Sequence, residues 1–399
     1  MKNETSAHAS SNYKWVMLAL IWLGYFAFGM TVFSIPPLVT PIAQDLNLTY
    51  SQIGSILGAI FPFYIPLAIC VGPLIDRAGT RKSIIVAIAF IPLSAFLQSI
   101  ATNFVTLFLS VCMLGIGGPF LSVGSPKIVA SWFSGRQRGL ASGIYVTGYF
   151  VGSSTILAIT NPVVMPIVGT WRDVLRVYAV LGFLIAIALV LLGRDPPTTQ
   201  MGRAAAVSLR EAISRMLREK RVLAIAVMGF SLSFASYGFL RWLPKFLELS
   251  GMSLANAGFF SSIPGWFAMI GSIAIPGLAK MGSRKPLVFA ILLIQGICIF
   301  TTAILSGLPL IACLILYGIS SGPTAPLLIV ILMDMPQVGA KYMGAATGIF
   351  FSLIGAGGFI GPIIVGLLVD LAGTILPGII ALTVAVEAML IFTWLMKEK

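Results

Sequence analysis

Charge is scarce in this chain. Only 9% of its 399 residues are Asp, Glu, Lys or Arg, against roughly a quarter in soluble domains, which excludes an ordinary water-soluble globule. Histidine occurs once, as His8 in the polar N-terminal tail. The four cysteines, Cys70, Cys112, Cys298 and Cys313, all lie inside apolar runs and lack the short paired spacing of a metal site, so they read as small core residues. No Walker-type loop, His/Cys/Asp cluster or Ser-His-Asp set is apparent, so an enzyme has little support and neither a cofactor nor a metal is expected.

What the chain has instead is apolar length, with 58% hydrophobic residues. A helix needs about 20 apolar residues to cross ~30 Å of hydrocarbon. About twelve stretches qualify, near 15–38, 52–75, 83–101, 104–131, 139–161, 174–193, 222–244, 255–278, 287–306, 308–333, 343–369 and 374–396. The expected fold is therefore an all-α integral membrane protein of about twelve transmembrane helices. The first run exceeds the 7–15 apolar residues of a signal peptide and has no convincing cleavage site, so it is expected to remain as a helix.

The net charge of +13 raises nucleic acid as a partner, and the placement of the basic residues removes it. Alternate loops on opposite faces put all but four of the 25 Lys and Arg on one face; Arg172, Arg176, Arg241 and Lys245 are the exceptions. Such a bias marks the cytoplasmic side, so both termini and the long central loop are expected inside a cell membrane.

Two charged turns repeat. Gly72-Pro-Leu-Ile-Asp76-Arg77-Ala-Gly79-Thr-Arg81-Lys82 returns in weaker form as Pro276-Gly-Leu-Ala-Lys280-Met-Gly282-Ser-Arg284-Lys285, an offset of 282 − 79 = 203. Arg138-Gly139-Leu-Ala-Ser-Gly143-Ile144 returns as Met343-Gly344-Ala-Ala-Thr-Gly348-Ile349, an offset of 344 − 139 = 205. Two registers that agree within two residues argue for a parallel repeat of six spans, a plan in which transporters hold substrate near mid-membrane between rocking halves. The halves are then 1–193 and 222–399, joined by a cytoplasmic linker at 194–221. Leu209, Ala212, Ile213, Met216 and Leu217 in that linker follow one helical face, and Ser208 with Glu211 forms a capping box. The surrounding arginines and lysines suit either anionic lipid at the membrane surface or a solvated, orienting linker.

The Gly72 to Lys82 turn resembles the signature loop of the major facilitator superfamily, on Gly72, Asp76, Arg77, Gly79, Arg81 and Lys82. The resemblance covers nearly the whole chain. It implies two six-helix bundles and a loop between the second and third helices that helps hold the cytoplasmic side closed. Gly79 permits a tight turn, and Asp76 at a helix end can engage a basic residue or the positive start of a neighbouring helix. Positive-inside topology explains Arg81 and Lys82 but not Asp76. Gly282, Arg284 and Lys285 form the second half-gate, with Ala279 where Asp76 would align. Trp132-Phe133-Ser134-Gly135-Arg136-Gln137-Arg138-Gly139 resembles the loop between helices four and five, and Lys127, about a turn earlier, is a candidate cytoplasmic gate residue.

The resemblance also implies a cavity lined by helices one, four, seven and ten. The clearest polar stripe is Phe230, Phe234, Tyr237 and Arg241 in helix seven, at spacings of 4, 3 and 4. Tyr25 and Phe28 in helix one, Ser122 in helix four and Tyr317, Ser321 and Thr324 in helix ten join it as substrate-site candidates, with Tyr149 and Trp266 from helices five and eight. Each aromatic has an alternative role in helix packing or an interfacial belt. Arg241 either faces the cavity or snorkels to the interface. Glu387, an acid inside the last span, is expected to pack or snorkel rather than couple transport. The presumed cavity helices hold no mid-membrane Asp or Glu, and Val111 stands where proton-linked members carry an arginine; both weaken proton coupling, although a weak-acid substrate could carry its own proton.

A narrower likeness, to the cyanate-permease and nitroimidazole-permease branch, rests on Gly118-Pro119, Ser125-Pro126-Lys127, Trp132-Phe133, Asn161-Pro162 and Trp171-Arg172. With Arg241 it suggests a secondary active or facilitative transporter of a small, anionic solute, a monomer whose partners are that solute and membrane lipid. The alternatives are a multidrug-type exporter of amphipathic organic molecules and a transporter-like receptor without flux.

Overall fold

The structure is a computed structural model that describes residues 2–194, 209–278 and 284–395. Its helices run α1 Lys2–Val32, α2 Val39–Leu46, α3 Tyr50–Gly58, α4 Phe61–Ala78, α5 Thr80–Ser99, α6 Phe104–Trp132, α7 Gly135–Ile159, α8 Met165–Val168 and α9 Trp171–Leu192. They continue as α10 Leu209–Arg218, α11 Lys220–Leu249, α12 Leu254–Leu278, α13 Arg284–Thr301, α14 Gly307–Met333, α15 Gly339–Ala372 and α16 Leu376–Leu395. Among the described residues ten helical segments are long and apolar enough to cross a membrane, and Pro286–Thr301 and Leu376–Ile391 are shorter apolar helices, in keeping with about twelve spans.

Local chemistry sets the breaks. The second span consists of α3 and α4, parted just before Phe61-Pro62, because proline cannot donate to the preceding turn. In the fifth span a π-helical turn, Thr160–Val164, surrounds Pro162 and links α7 to α8. Thr49 and Gln52 close a reciprocal capping box at the start of α3, and Asn103 and Thr106 do so for α6. Gly79 has φ +89°, the left-handed geometry its turn requires, between α4 and α5.

Lipid tails are as apolar as leucine, so helices in a bilayer associate through close packing at small residues. The glycines show that packing and carry the repeat. Gly152 faces the carbonyl of Phe26, and Gly357 faces that of Phe230, offsets of 357 − 152 = 205 and 230 − 26 = 204. Gly115 faces Ile60 O and Gly318 faces Pro264 O, offsets of 203 and 204. The duplication suggested by two loops thus recurs inside the packed helices.

Contacts between the first six and last six spans use the same symmetry. Gly54 of α3 faces Pro362 O of α15, and Gly258 of α12 faces Leu157 O of α7. Both contacts lie toward the end of the molecule opposite the linker, called here the far end. Near the other end, Gly139, Gly143, Gly344 and Gly348 have no atom within 4 Å of where a Cβ would stand. The repeated glycine segments that open α7 and α15 are therefore apart, while the far end is closed.

The linker helix α10 forms where the periodicity predicts it. Its Ala212 and Met216 are buried, and Arg215 donates to the Tyr342 hydroxyl at 2.9 Å and lies over that ring. Part of its apolar face is thus covered by α15 rather than left for lipid or water. Ser208 and the rest of 195–208 lie outside the described residues.

Candidate functional site

The four basic residues that break the charge bias decide where to look. At the far end Arg172 pairs with Asp45, and Arg176 pairs with Asp173 at 2.6 Å. Lys245, 7% exposed, pairs with Glu248 at 2.9 Å and also donates to Thr40 at 2.8 Å. Arg241 differs from all three. It is 2% exposed, and its Nε and Nη2 are buried with no hydrogen-bond partner. Its Cα lies eight residues before the end of α11, about 12 Å along a helix, and its burial rules out snorkelling to the interface.

Aromatic rings from both halves surround that guanidinium. Its Cζ lies 4.9 Å from the Tyr237 ring centroid, 5.9 Å from Phe61 and 6.0 Å from Phe33. Phe61 meets Tyr237 edge-on at 5.0 Å, and Tyr149 lies within 6.4 Å of Phe33 and 6.0 Å of Phe28. The Tyr64 hydroxyl meets that of Ser122 at 3.0 Å. Toward the linker end the cage continues through Tyr25 and Tyr145, 4.9 Å apart. Cation–π attraction is larger in desolvated sites, about 2 kcal/mol or more, so the rings can hold the charge in place without supplying the acceptors its N–H groups want.

The structure brings together Tyr25, Phe28, Ser122, Tyr149, Tyr237 and Arg241 of the sequence-derived set. It does not bring in the others. Tyr317 is fully buried against Phe239 at 4.7 Å, inside the second half. Thr324 is fully buried and accepts from Gln295 at 2.8 Å, and Ser321 bonds its own helix at Gly318 O. Phe234 stacks on Phe230 at 6.1 Å among packed apolar residues, and Trp266 lies half-buried in α12. Sequence reasoning missed Phe33, Phe61, Tyr64 and Tyr145. One signal was available for Phe33, which sits at the repeat position of Tyr237, 237 − 33 = 204. Glu387 seats on Gly296 of α13, where a Cβ would overlap its carboxylate.

Around the signature loop, Lys127 donates to Gly72 O at 3.2 Å, Arg77 and Lys82 are exposed, and Arg81 reaches Val190 O at 3.4 Å. Asp76 falls in the last turn of α4 and Arg284 and Lys285 in the first of α13, while Gly282 lies outside the described residues.

The family model of the Major Facilitator Superfamily matches residues 21–362. The chain belongs to the Major Facilitator Superfamily. The superfamily, rather than any one of its branches, is what this match establishes. Among its relatives, the hexuronate transporter of Bacillus subtilis (strain 168) is 25% identical over 358 residues, 84% of this chain and 82% of that protein. The nitrite extrusion protein of the same organism is 26% identical over 396 residues, covering 96% and 95%. A solved structure of a bacterial homologue of the human lysosomal transporter Spinster, in an inward-facing, unoccupied conformation, superposes with a TM-score of 0.72 at 15% identity, covering 96% of this chain and 95% of that one. That likeness is one of fold.

Proposed function

We propose that this superfamily member moves a small anionic solute across the cell membrane by alternating access, as a secondary active or facilitative transporter working as a monomer. The halves 1–193 and 222–399 rock about a substrate held between them, with 194–221 as the cytoplasmic linker. The observation that carries the proposal is Arg241, a buried cation with two unsatisfied N–H groups, caged by residues of both halves. A charge in a membrane span needs a partner or a wet cavity, and an anion supplies the partner that the protein's own carboxylates give to Arg172, Arg176 and Lys245. The relatives' names point the same way, since hexuronate and nitrite are both anions.

The excess of Lys and Arg at the linker end makes that end cytoplasmic. The far end is then the outer face, and the state described is closed outside and open inside. The separated glycine segments at the linker end are the surfaces that meet in the other state, where the signature loop, with Asp76 and Lys127, acts as the cytoplasmic gate.

Uptake of labelled anions into proteoliposomes tests the proposal. Arg241→Ala is expected to lower the rate at least tenfold, because an anion in the apolar cage then lacks its counter-charge. Wild-type uptake in the substituted protein, with the same response to competing anions, would refute the anion site. Stable binding without flux would identify a receptor instead.

A further inference from the structure

We infer that the transported solute is an organic monocarboxylate with an apolar or aromatic body, its carboxylate held side-on by Nε and Nη2 of Arg241. This rests on the anion reading above and narrows it to one chemical class.

Among the described residues the cage holds a single uncompensated charge. Arg241 is the cation in contact with the cage rings, and the nearby Lys245 is already neutralised by Glu248 and bonded to Thr40. One buried positive charge balances one negative charge. A dicarboxylate would leave a second charge unpaired at membrane depth, which is costly.

One edge of the guanidinium is free. The two orphaned nitrogens are Nε and Nη2, the pair whose N–H bonds run parallel along one side of the guanidinium. Their spacing matches the two oxygens of a single carboxylate, the bidentate geometry that makes arginine the usual reader of this group. Hydrogen bonds of this kind are also what relieve the desolvation of a buried arginine.

The wall around the charge is aromatic. Next to the guanidinium stand the rings of Phe33, Phe61 and Tyr237, and the Tyr149 ring lies 6.4 Å from that of Phe33. Of the hydroxyls near them, those of Tyr64 and Ser122 already bond each other at 3.0 Å. A polyhydroxylated sugar acid would set several hydroxyls against these faces with only the phenol hydroxyls at the ring edges as partners, at a cost of about 1–3 kcal/mol for each one left unpaired. Nitrate could satisfy the guanidinium edge but would leave the rings uncovered. A flat or branched apolar body covers them. By this reasoning the chain departs from the hexuronate and nitrite relatives in what fills the space beyond the anion.

The test uses the full-length purified protein with benzoate, benzamide, succinate, galacturonate and nitrate, read by ligand-induced thermal stabilisation and by proteoliposome uptake. Benzoate is expected to stabilise saturably and to be transported. Benzamide, which keeps the shape and loses the charge, should do neither. Succinate, galacturonate and nitrate should bind at least about tenfold more weakly, a difference of ~1.4 kcal/mol. Arg241→Lys, which keeps the charge and loses the fork, should weaken benzoate about tenfold or more while the unliganded protein melts as before. Tightest binding by succinate, galacturonate or nitrate would overturn the monocarboxylate assignment and leave the anion proposal standing. Binding of benzamide as tight as benzoate, with indifference to Arg241, would overturn both.

Discussion

Gly54→Val is expected to disfavour closure of the far end and, with it, to slow transport. A Cβ at Gly54 would overlap the carbonyl of Pro362 on α15, and the atoms it meets are backbone, so no rotamer change makes room. Overpacking of this kind costs about 1–3 kcal/mol in a packed interior. Here it is relieved without unfolding, by letting the two halves separate at that end. A shift of ~2 kcal/mol changes the ratio of two rocking states about thirtyfold. Uptake should fall by at least tenfold, because the cycle reaches the state described about thirtyfold less often. Leu157, 4% exposed on the neighbouring cross-half contact, is the reporter position. Combined with Leu157→Cys, in a background with the four native cysteines changed to serine, Gly54→Val should make the introduced thiol reactive to an impermeant maleimide added from the far side. The symmetry-related Gly258→Val, whose Cβ would lie 2.8 Å from Leu157 O, should act in the same direction. Gly143→Val, at the linker end and with open space around it, should leave the far end protected. A Gly54→Val protein that transports normally and keeps the introduced thiol unreactive would show that the Gly54 contact does not limit closure.

The twelve spans were legible because a bilayer imposes a length and a composition that few other structures share. The repeat was legible because Gly79 is fixed by its positive φ, and because Gly139 and Gly143 recur in register as Gly344 and Gly348, although none of these four makes a close contact in this state. The cage was legible only in part. Arg241 and Tyr237 lie on one helix, four residues apart, and local periodicity joins them. Phe61 and Phe33 reach the same guanidinium from other helices, and nothing in the chain's order says that α4 and the end of α1 face α11 there. The direction of α14 was equally hidden. Its polar residues looked suited to a cavity, yet Gln295 of α13 donates to the Thr324 hydroxyl oxygen and Phe239 covers Tyr317. The pairing of Lys245 with Glu248 was within reach of sequence, since residues three apart on a helix are neighbours. Setting that lysine aside would have left Arg241 as the basic residue to explain in that helix.

Asp370→Ala is expected to move the same equilibrium through a different contact. The first N–H groups of α3 have no partner within their own helix. Thr49 takes the N–H of Gln52, and Asp370, from the end of α15 in the other half, takes those of Tyr50 at 2.9 Å and Ser51 at 2.7 Å, with the Ser51 hydroxyl as well. A carboxylate at a helix start gains from the hydrogen bonds and from the positive end of the helix dipole. The contact exists only while the far end is closed, so its worth of about 1–2 kcal/mol is a term in the rocking equilibrium rather than in the stability of either half. Removing it should raise the population open at the far end by about five- to thirtyfold, read as faster alkylation of the thiol introduced by Leu157→Cys, with little change in the melting temperature of the apo protein. Asp370→Asn keeps one acceptor and loses the charge, so it should fall between the two. Repeat symmetry puts Met165 or Pro166 where Asp370 would recur, 370 − 205 = 165 and 370 − 204 = 166, and neither side chain can accept a hydrogen bond as a carboxylate does. On that side Asn161 bridges Pro37 O at 3.0 Å and Leu254 O at 3.1 Å, a neutral tie in place of a charged one. The far-end closure is therefore asymmetric, and Asn161→Ala should open it less than Asp370→Ala does. Equal alkylation rates in the two variants would mean that the charge on Asp370 adds nothing to the latch.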